Sequence, residues 1–377
     1  MSGTASIIDA VMNIPLTRRK ALHLFSAGAA SALLPSAQAS PKGPIIRTIL
    51  KDMQPEELAG GATLFHEHMS FTGDFWARLM VNMRAQFAAR NPNAAPAPTP
   101  PPQTGTYFMQ DLDLMVEEMR AAAQNGVACI VDGGHEDMGR SLAFLTQLSM
   151  RSGMPIVAGG GYYTQPFYPP EIAAMSEDQI AEELIRKAKT QPLGAYGEIG
   201  SSDEITPDER KVFRAVSKAH LKTNLPIFTH TAFGRAASEQ LDIFESMHVN
   251  PKNVVIGHLG GILDPKAEIH KAIAKRGAYV GFDRLGGASD ARQVPIIQNM
   301  LDAGYAGRVL LSSDFSSARL LKHNGGPGYA VTLTVFVPML KKAGVDEQTI
   351  HGMLVDNPRQ FLTFTPRHKH VSVSVNA

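Results

Sequence analysis

The chain of 377 residues has one cysteine, one tryptophan and almost no net charge, +1 from 36 Lys and Arg against 35 Asp and Glu. A lone cysteine rules out an intrachain disulfide and a Cys-rich zinc site. Cys129 sits in the apolar run Val127-Ala128-Cys129-Ile130-Val131, the setting of a buried structural residue, with a thiol nucleophile as the alternative. Near-neutral charge argues against nucleic acid as a partner. No Gly-x-Ser-x-Gly is present, which speaks against a serine hydrolase built on a nucleophile elbow. After the N-terminus, no apolar stretch reaches membrane-spanning length. Hydrophobic residues, at 44%, are enough for a large core.

The N-terminus reads as a targeting segment. Thr17-Arg18-Arg19-Lys20 precedes the apolar stretch Ala21 to Leu34, and Pro35-Ser36-Ala37-Gln38-Ala39 follows. A basic start, a short apolar centre and an A-x-A site predict removal of 1–39 by cleavage after Ala39. The paired arginines resemble a twin-arginine export signal, although Ala21 and His23 replace the usual aromatic and lysine. A Sec signal or an uncleaved anchor is the alternative. Export would place the mature chain in the periplasm or outside the cell, with the export machinery as a partner and no stable membrane insertion.

Beyond it, apolar β-like runs alternate with amphipathic helical patterns. The runs are 61–65, 127–131, 155–159, 194–197, 226–229, 253–257, 278–282 and 308–312. Between them, Leu112, Met115, Met119 and Ala122 share one helical face, as do Val212, Ala215, Val216 and Ala219. Thr206, Pro207 and Glu209 have the spacing of a capping box with proline at the first helical position. Residues 172–189 read as one helix with a charged outer face. Eight βα units imply a parallel sheet closed into a (β/α)8 barrel spanning 40–366. Residues 89–106, with Pro98-Thr99-Pro100-Pro101-Pro102 at their heart, exclude a helix or a central strand. They form either a flexible loop on the catalytic rim or a solvated insertion. Residues 367–377 read as a frayed tail, and His368-Lys369-His370 there has no role.

Chemistry-bearing residues gather at the ends of these runs. In a strand, residues i and i+2 point the same way, so His66 and His68 can converge on one metal ion with Glu67 facing elsewhere. Glu198, His230, His258 and Asp314 end or follow later runs. A buried Glu198 needs a partner, either a metal or an arginine. Asp314 can be a ligand, a general base or both. Four histidines and two carboxylates suffice for two divalent ions sharing a bridge.

This set, His66-x-His68, Glu198, His230, His258 and Asp314, resembles the binuclear centre of the amidohydrolase superfamily, in its phosphotriesterase-related branch. Supporting stretches include Gly161-Tyr162-Tyr163, Gly197-Glu198-Ile199-Gly200, Ile256-Gly257-His258 and Asp356-Asn357-Pro358-Arg359. Where the best-known members carry a carboxylated lysine, this chain has Glu198, as in the phosphotriesterase homology protein subgroup. Both groups are bidentate anions. By contrast, Gly281-Phe282-Asp283-Arg284 resembles the lactonase relatives, whose arginine at this place lines the substrate pocket.

The resemblance implies that His66, His68 and Asp314 hold one metal and His230 and His258 the other. Glu198 and a hydroxide would bridge the two, with the hydroxide as nucleophile. Asp314 would move the proton to the leaving group. Zinc suits these ligands, as do manganese, cobalt and iron. Family members often form homodimers. Tyr162, Tyr163 and Arg284 follow runs three and seven, so they can face the same mouth. Each has a second reading: packing for the tyrosines, of which only one can point inward, and a pair with Asp283 for the arginine. Trp76 reads as packing. The expected activity is metal-dependent hydrolysis of a small-molecule lactone or carboxylic ester. The alternatives are a phosphoester hydrolase with the same centre and a non-catalytic metal-binding barrel.

Overall fold

The computed structural model describes residues 43–93 and 106–367, all within the compact unit Ser40–Ala377. The expected signal segment, the proline-rich 94–105 and the tail from His368 lie outside the described residues.

The chain forms a (β/α)8 barrel, as its alternation predicts. Its strands are β1 (Ala62–Glu67), β2 (Val127–Asp132), β3 (Ile156–Ala158), β4 (Tyr196–Gly200), β5 (Ile227–His230), β6 (Val254–Ile256), β7 (Tyr279–Phe282) and β8 (Val309–Leu311). They pair in parallel as β1-β2-β3 and, in order, β4 to β8. Two seams complete the ring. At the β3–β4 seam, Gly194 N–H donates to Ala158 O at 3.0 Å. This bond engages the chain just before β4, which itself begins at Tyr196 and carries Glu198 mid-strand rather than at its end. At the β8–β1 seam, Asp314 N–H donates to His66 O at 3.2 Å.

Glu67 fastens that second seam. Its carboxylate accepts from Ser312 Oγ (2.8 Å), Ser313 N (2.9 Å), Ser313 Oγ (2.7 Å) and Phe315 N (2.8 Å). Burial pushes its pKa up to about 7, partly offset by the bonds from Ser313 and Ser312.

Alternation along the strands separates two cores. Phe65, Cys129, Val131, Val157, Phe228, Val255 and Leu310 pack with Ile46, Met53, Leu58, Phe361 and Leu362. Most of the first group come one from each strand, which is the filling of a barrel interior. The second group comes from the antiparallel pair Ile46–Arg47 and Asp52–Met53, the 3-10 turn Pro55–Leu58 and the last helix, Asn357–Leu362. The larger cluster lies between strands and helices, with Leu64, Ile130, Ile156, Ile199, Ile227 and Ile256 among its members. Burying each large apolar side chain contributes about 1.5–3 kcal/mol. Cys129 is therefore a structural residue, and burial pushes its thiol up to about 12.

The helices follow from their caps. α1 covers Gly73–Arg90, α2 Leu112–Gln124, α3 Leu142–Ser152, α4 Glu177–Thr190 and α5 Pro207–Thr223. Asp111 is the N-cap of α2, accepting from Leu114 N at 3.1 Å. The Thr206–Glu209 box caps α5 as expected. Glu209 also accepts from Ser202 N and Oγ, tying the β4 loop to the helix. The single helix expected over 172–189 is instead two, Glu171–Ala174 and α4. Ser176 and Gln179 form a capping box that starts a new helix at Glu177.

α1 was not delimited by periodicity, because apolar residues lie on several of its sides. Phe75 is buried, whereas Val81, Met83 and Phe87 are exposed. Its 18 residues span about 27 Å, and they take in Ala89 and Arg90 from the stretch expected to exclude a helix. It leaves β1, and its far end reaches the loops after β4 and β5. Arg90 pairs there with Asp203 and lies 5.3 Å from the Phe233 ring centroid. β1 and β5 stand opposite in an eight-stranded ring, so α1 crosses the mouth.

Candidate metal centre and active site

All six expected ligands meet at the C-terminal mouth. His66 and His68 rings lie 5.5 Å apart, as i and i+2 register requires. Glu198 stands at the centre. One or other of its oxygens lies 3.3 Å from His66 Nε2, 3.2 Å from His68 Nε2, 3.0 Å from His230 Nδ1 and 3.4 Å from His258 Nε2. Asp314 Oδ1 lies 3.1 Å from His68 Nε2. His258 and Asp314 have left-handed backbones, with φ of 61° and 51°. A non-glycine residue there costs about 1–2 kcal/mol, so the surrounding structure holds both residues at the mouth against local preference.

The site contains a residue whose role the sequence did not reveal. Asp283 Oδ2 faces His66 Nδ1 at 2.9 Å, and Oδ1 faces His258 Nδ1 at 2.9 Å and accepts from His258 N–H at 2.8 Å. One ionised carboxylate is thereby placed to accept a hydrogen bond from Nδ1 of two imidazoles, which orients each Nε2 toward the centre. Burial raises the Asp283 pKa, but His258 and His66 more than reverse this and hold it far below the carboxylate range. Asp283 is therefore committed to histidines, and the Asp283–Arg284 pair, the second reading for this arginine, is not formed. Arg284 Nε instead lies 3.4 Å from Asp314 Oδ2, with its guanidinium over the Phe233 ring.

The donor set fits divalent cations. Among the described residues, three groups of candidate ligand atoms each lie within 4.8 Å: His66, His68, Glu198 and Asp314; Glu198, His230 and His258; and His66, His258 and Asp283. The first two share Glu198, and in the third Asp283 faces the Nδ1 atoms of both histidines. Buried His66 Nε2, although 3.3 Å from Glu198, makes no well-aligned hydrogen bond among the described residues, an arrangement that a cation between the two groups would satisfy. Gly133 leaves the required space, since a Cβ there would meet His66 Cδ2 at 3.0 Å and His68 Cε1 at 3.1 Å.

Electrostatics describe the same cluster. Burial lowers the His68 pKa, but Asp314 and Glu198 overcome it and raise the imidazole to about 9. His230, beside His258, is held down by burial to about 4. Glu198 is pushed up by burial and pulled well below its usual range by His66 and His230. Two carboxylates thus remain ionised at the centre of a buried site, ready to meet positive charge.

Tyr163 and Tyr162 part company. Tyr163 Oη lies 3.3 Å from His230 Nδ1. Tyr162 points away, with its ring against Tyr168 and Lys187 Nζ, which corrects its expected place in the substrate pocket. A cavity of about 380 Å³ opens above the cluster, lined by Tyr163, Phe233 and Arg284 and, from α1 and the turn before it, Phe71, Trp76 and Leu79. Trp76 stacks on Phe71 with centroids 5.9 Å apart, so its packing role and its place on the cavity wall coincide.

Known proteins are consistent with this geometry. Residues 45–362 match the phosphotriesterase family model. The phosphotriesterase homology protein of Escherichia coli (strain K12) is 34% identical over 255 residues, 65% of this chain and 87% of that protein. Its crystal structure, complexed with phosphate in the active site, matches with a TM-score of 0.69, covering 81% of this chain and 99% of that one at 29% identity. An N-acetyltaurine hydrolase of Salmo salar is 25% identical over 351 residues, 85% of this chain and 98% of the relative. The structure of a lactonase from Listeria monocytogenes matches with a TM-score of 0.68 at 26% identity, covering 85% and 99%.

Proposed function

This chain belongs to the phosphotriesterase family, and on that premise we propose that it is a metal-dependent hydrolase with a two-metal centre that cleaves a lactone or carboxylic ester. The observation that carries the reading is Glu198. One carboxylate lies within 3.4 Å of all four imidazoles and belongs to two of the ligand groups. His66, His68 and Asp314 would hold one ion and His230 and His258 the other, with Glu198 common to both.

Divalent cations, zinc first by ligand chemistry, would be held by these residues and would supply Lewis acidity and a hydrolytic nucleophile near neutral pH. The other steps belong to the chain. Burial raises the Asp314 pKa, but the His68 hydrogen bond and the His258 and His66 charges keep it low, so Asp314 is an ionised base that accepts a proton and returns it to the leaving group. Arg284 holds Asp314 from the solvent side. Tyr163 Oη, protonated because burial pushes its pKa well up, donates to developing negative charge. α1 covers the mouth and limits water.

The lactonase from Listeria monocytogenes and the arginine at position 284 support the ester or lactone. The N-acetyltaurine hydrolases, matched over 98% of their length, favour an amide as a second reading. We further propose that residues 1–39 direct export by machinery of the twin-arginine type and are cleaved off near Ala39, that the barrel spans 40–366, and that the mature chain acts in the periplasm or outside the cell and can assemble as a homodimer.

Elemental analysis of purified wild type and Glu198→Ala, with assays on lactones, esters, amides and phosphoesters, tests this reading. About two ions per chain, lost in the variant together with lactone or ester hydrolysis, is the expected result. A folded protein that takes up no zinc or manganese overturns it. Hydrolysis confined to amides or phosphoesters overturns the substrate class.

A further inference from the structure

The cavity has two kinds of wall. One side comes from α1 and the turn before it, and it is apolar: Phe71, Phe75, Trp76, Leu79, Met80 and Met83. The other side comes from the loops after β7 and β8 and carries two cations, Arg284 and Arg319. Arg284 is engaged by Asp314 and by the Phe233 ring. Arg319 is exposed, and among the described residues no carboxylate pairs with it. Arg90, Arg151, Arg186, Arg210, Arg214 and Arg276 each face an acid, and Arg78 and Arg120 donate to backbone carbonyls. What sets Arg319 apart is its place on the cavity lining. Arg319 is thus a cation held at the mouth of the active-site cavity with its donors uncommitted. A guanidinium in that position favours a carboxylate or sulfonate, because its planar fork donates two hydrogen bonds to two anionic oxygens.

We propose that the substrate is an acyl conjugate with an apolar acyl half lying against α1 and an anionic half held by Arg319, the bond between them placed over the Glu198–Asp314 cluster. The apolar wall selects acyl length, since each buried methylene is worth about 0.8 kcal/mol, or roughly fourfold in affinity. Arg319 selects charge. Arg284, already committed to Asp314, stands between the anion site and the reacting bond. This assignment rests on the proposed hydrolase for which bond breaks, but the binding preference stands without it.

Trp76 is the single tryptophan of the chain and lies on the cavity wall, so its fluorescence reports binding at this site alone. The probes are N-octanoylglycine and its neutral isostere N-octanoylglycinamide, with the N-acetyl pair as short-chain controls. The full metal-loaded protein is titrated with each, and release of free acid is followed in parallel for these amides and for the matching glycolate and glycolamide esters. The anionic octanoyl compound should bind about tenfold more tightly than its neutral partner. Arg319→Gln should bring that ratio to within about twofold, and Arg319→Lys, which keeps the charge but loses the fork, should keep only part of it. Leu79→Ala should narrow the octanoyl-to-acetyl ratio instead.

Equal affinity for the charged and neutral compounds overturns the proposal, even if both are hydrolysed. A charge preference that survives Arg319→Gln overturns the role of Arg319. A preference abolished by Arg319→Gln, without hydrolysis of any ester or amide, keeps the proposal and counts against the hydrolase reading.

Discussion

His66 Nδ1 and Asp283 Oδ2 lie 2.9 Å apart across 217 residues of sequence, and the same carboxylate takes His258 Nδ1 at the same distance. Two candidate ligands of the centre therefore depend on one residue that belongs to neither group sharing Glu198. In Asp283→Asn, one oxygen becomes an NH2 donor, and the imidazole facing it must turn or change tautomer. Divalent-ion affinity should fall about 10–100-fold, as read by competition with a chromogenic chelator. Unchanged affinity would show that the imidazoles are oriented by packing alone.

Glu67 closes the barrel. Glu67→Ala leaves four donors from Ser312, Ser313 and Phe315 facing a void. The expected loss is about 3 kcal/mol, measured by urea unfolding of the metal-free protein so that ligand binding does not contribute. A loss under about 1 kcal/mol would mean that water replaces the carboxylate at the seam.

The far end of α1 hangs on Arg90. Its pair with Asp203 is partly exposed, so Arg90→Ala should cost less than about 1 kcal/mol of global stability. Amide exchange across 73–90 should nevertheless accelerate, while β1 to β8 stay as protected as in wild type. Equal protection of α1 in both proteins would show that the Arg78 contacts with Pro166 O and Phe167 hold the helix unaided.

His220 makes stability depend on pH. Burial lowers its pKa, only partly offset by the 2.7 Å bond of Nδ1 to Leu225 O. In the unfolded chain it titrates near the ordinary value of about 6.5. Above that pH both states are neutral and stability is fully present. Below it the unfolded state takes the proton first, and stability falls. His220→Gln, whose amide can still donate to Leu225 O, should flatten the decline of urea-unfolding stability between about pH 7 and pH 5. An identical slope in both proteins would assign the acid sensitivity to other groups.

Much of the site was legible because its signals are local. His66 and His68 are two residues apart, and β-strand geometry alone points them together. Glu198, His230, His258 and Asp314 each follow an apolar run, and a closed ring of parallel strands gathers such ends at one mouth. The Ser176–Gln179 box that splits 172–189 was equally local and went unread beneath the helical periodicity. Asp283 gave no such signal. It adjoins Arg284 in sequence, and nothing along the chain says that its oxygens reach imidazoles from β1 and β6 rather than its neighbour. Tyr162 and Tyr163 were equivalent as letters; the turn after β3 decided which one meets His230.

The sequence by itself determined the eight-fold alternation and picked out the candidate ligands, most of them at strand ends, because strand period, helix caps and apolar runs act over a few residues. The tertiary structure alone decided that Glu198 is shared by two ligand groups, that Asp283 serves two histidines, that Glu67 seals the ring and that α1 crosses the mouth. Each of these joins residues far apart in the chain, and such contacts depend on how the barrel closes, which no local pattern encodes.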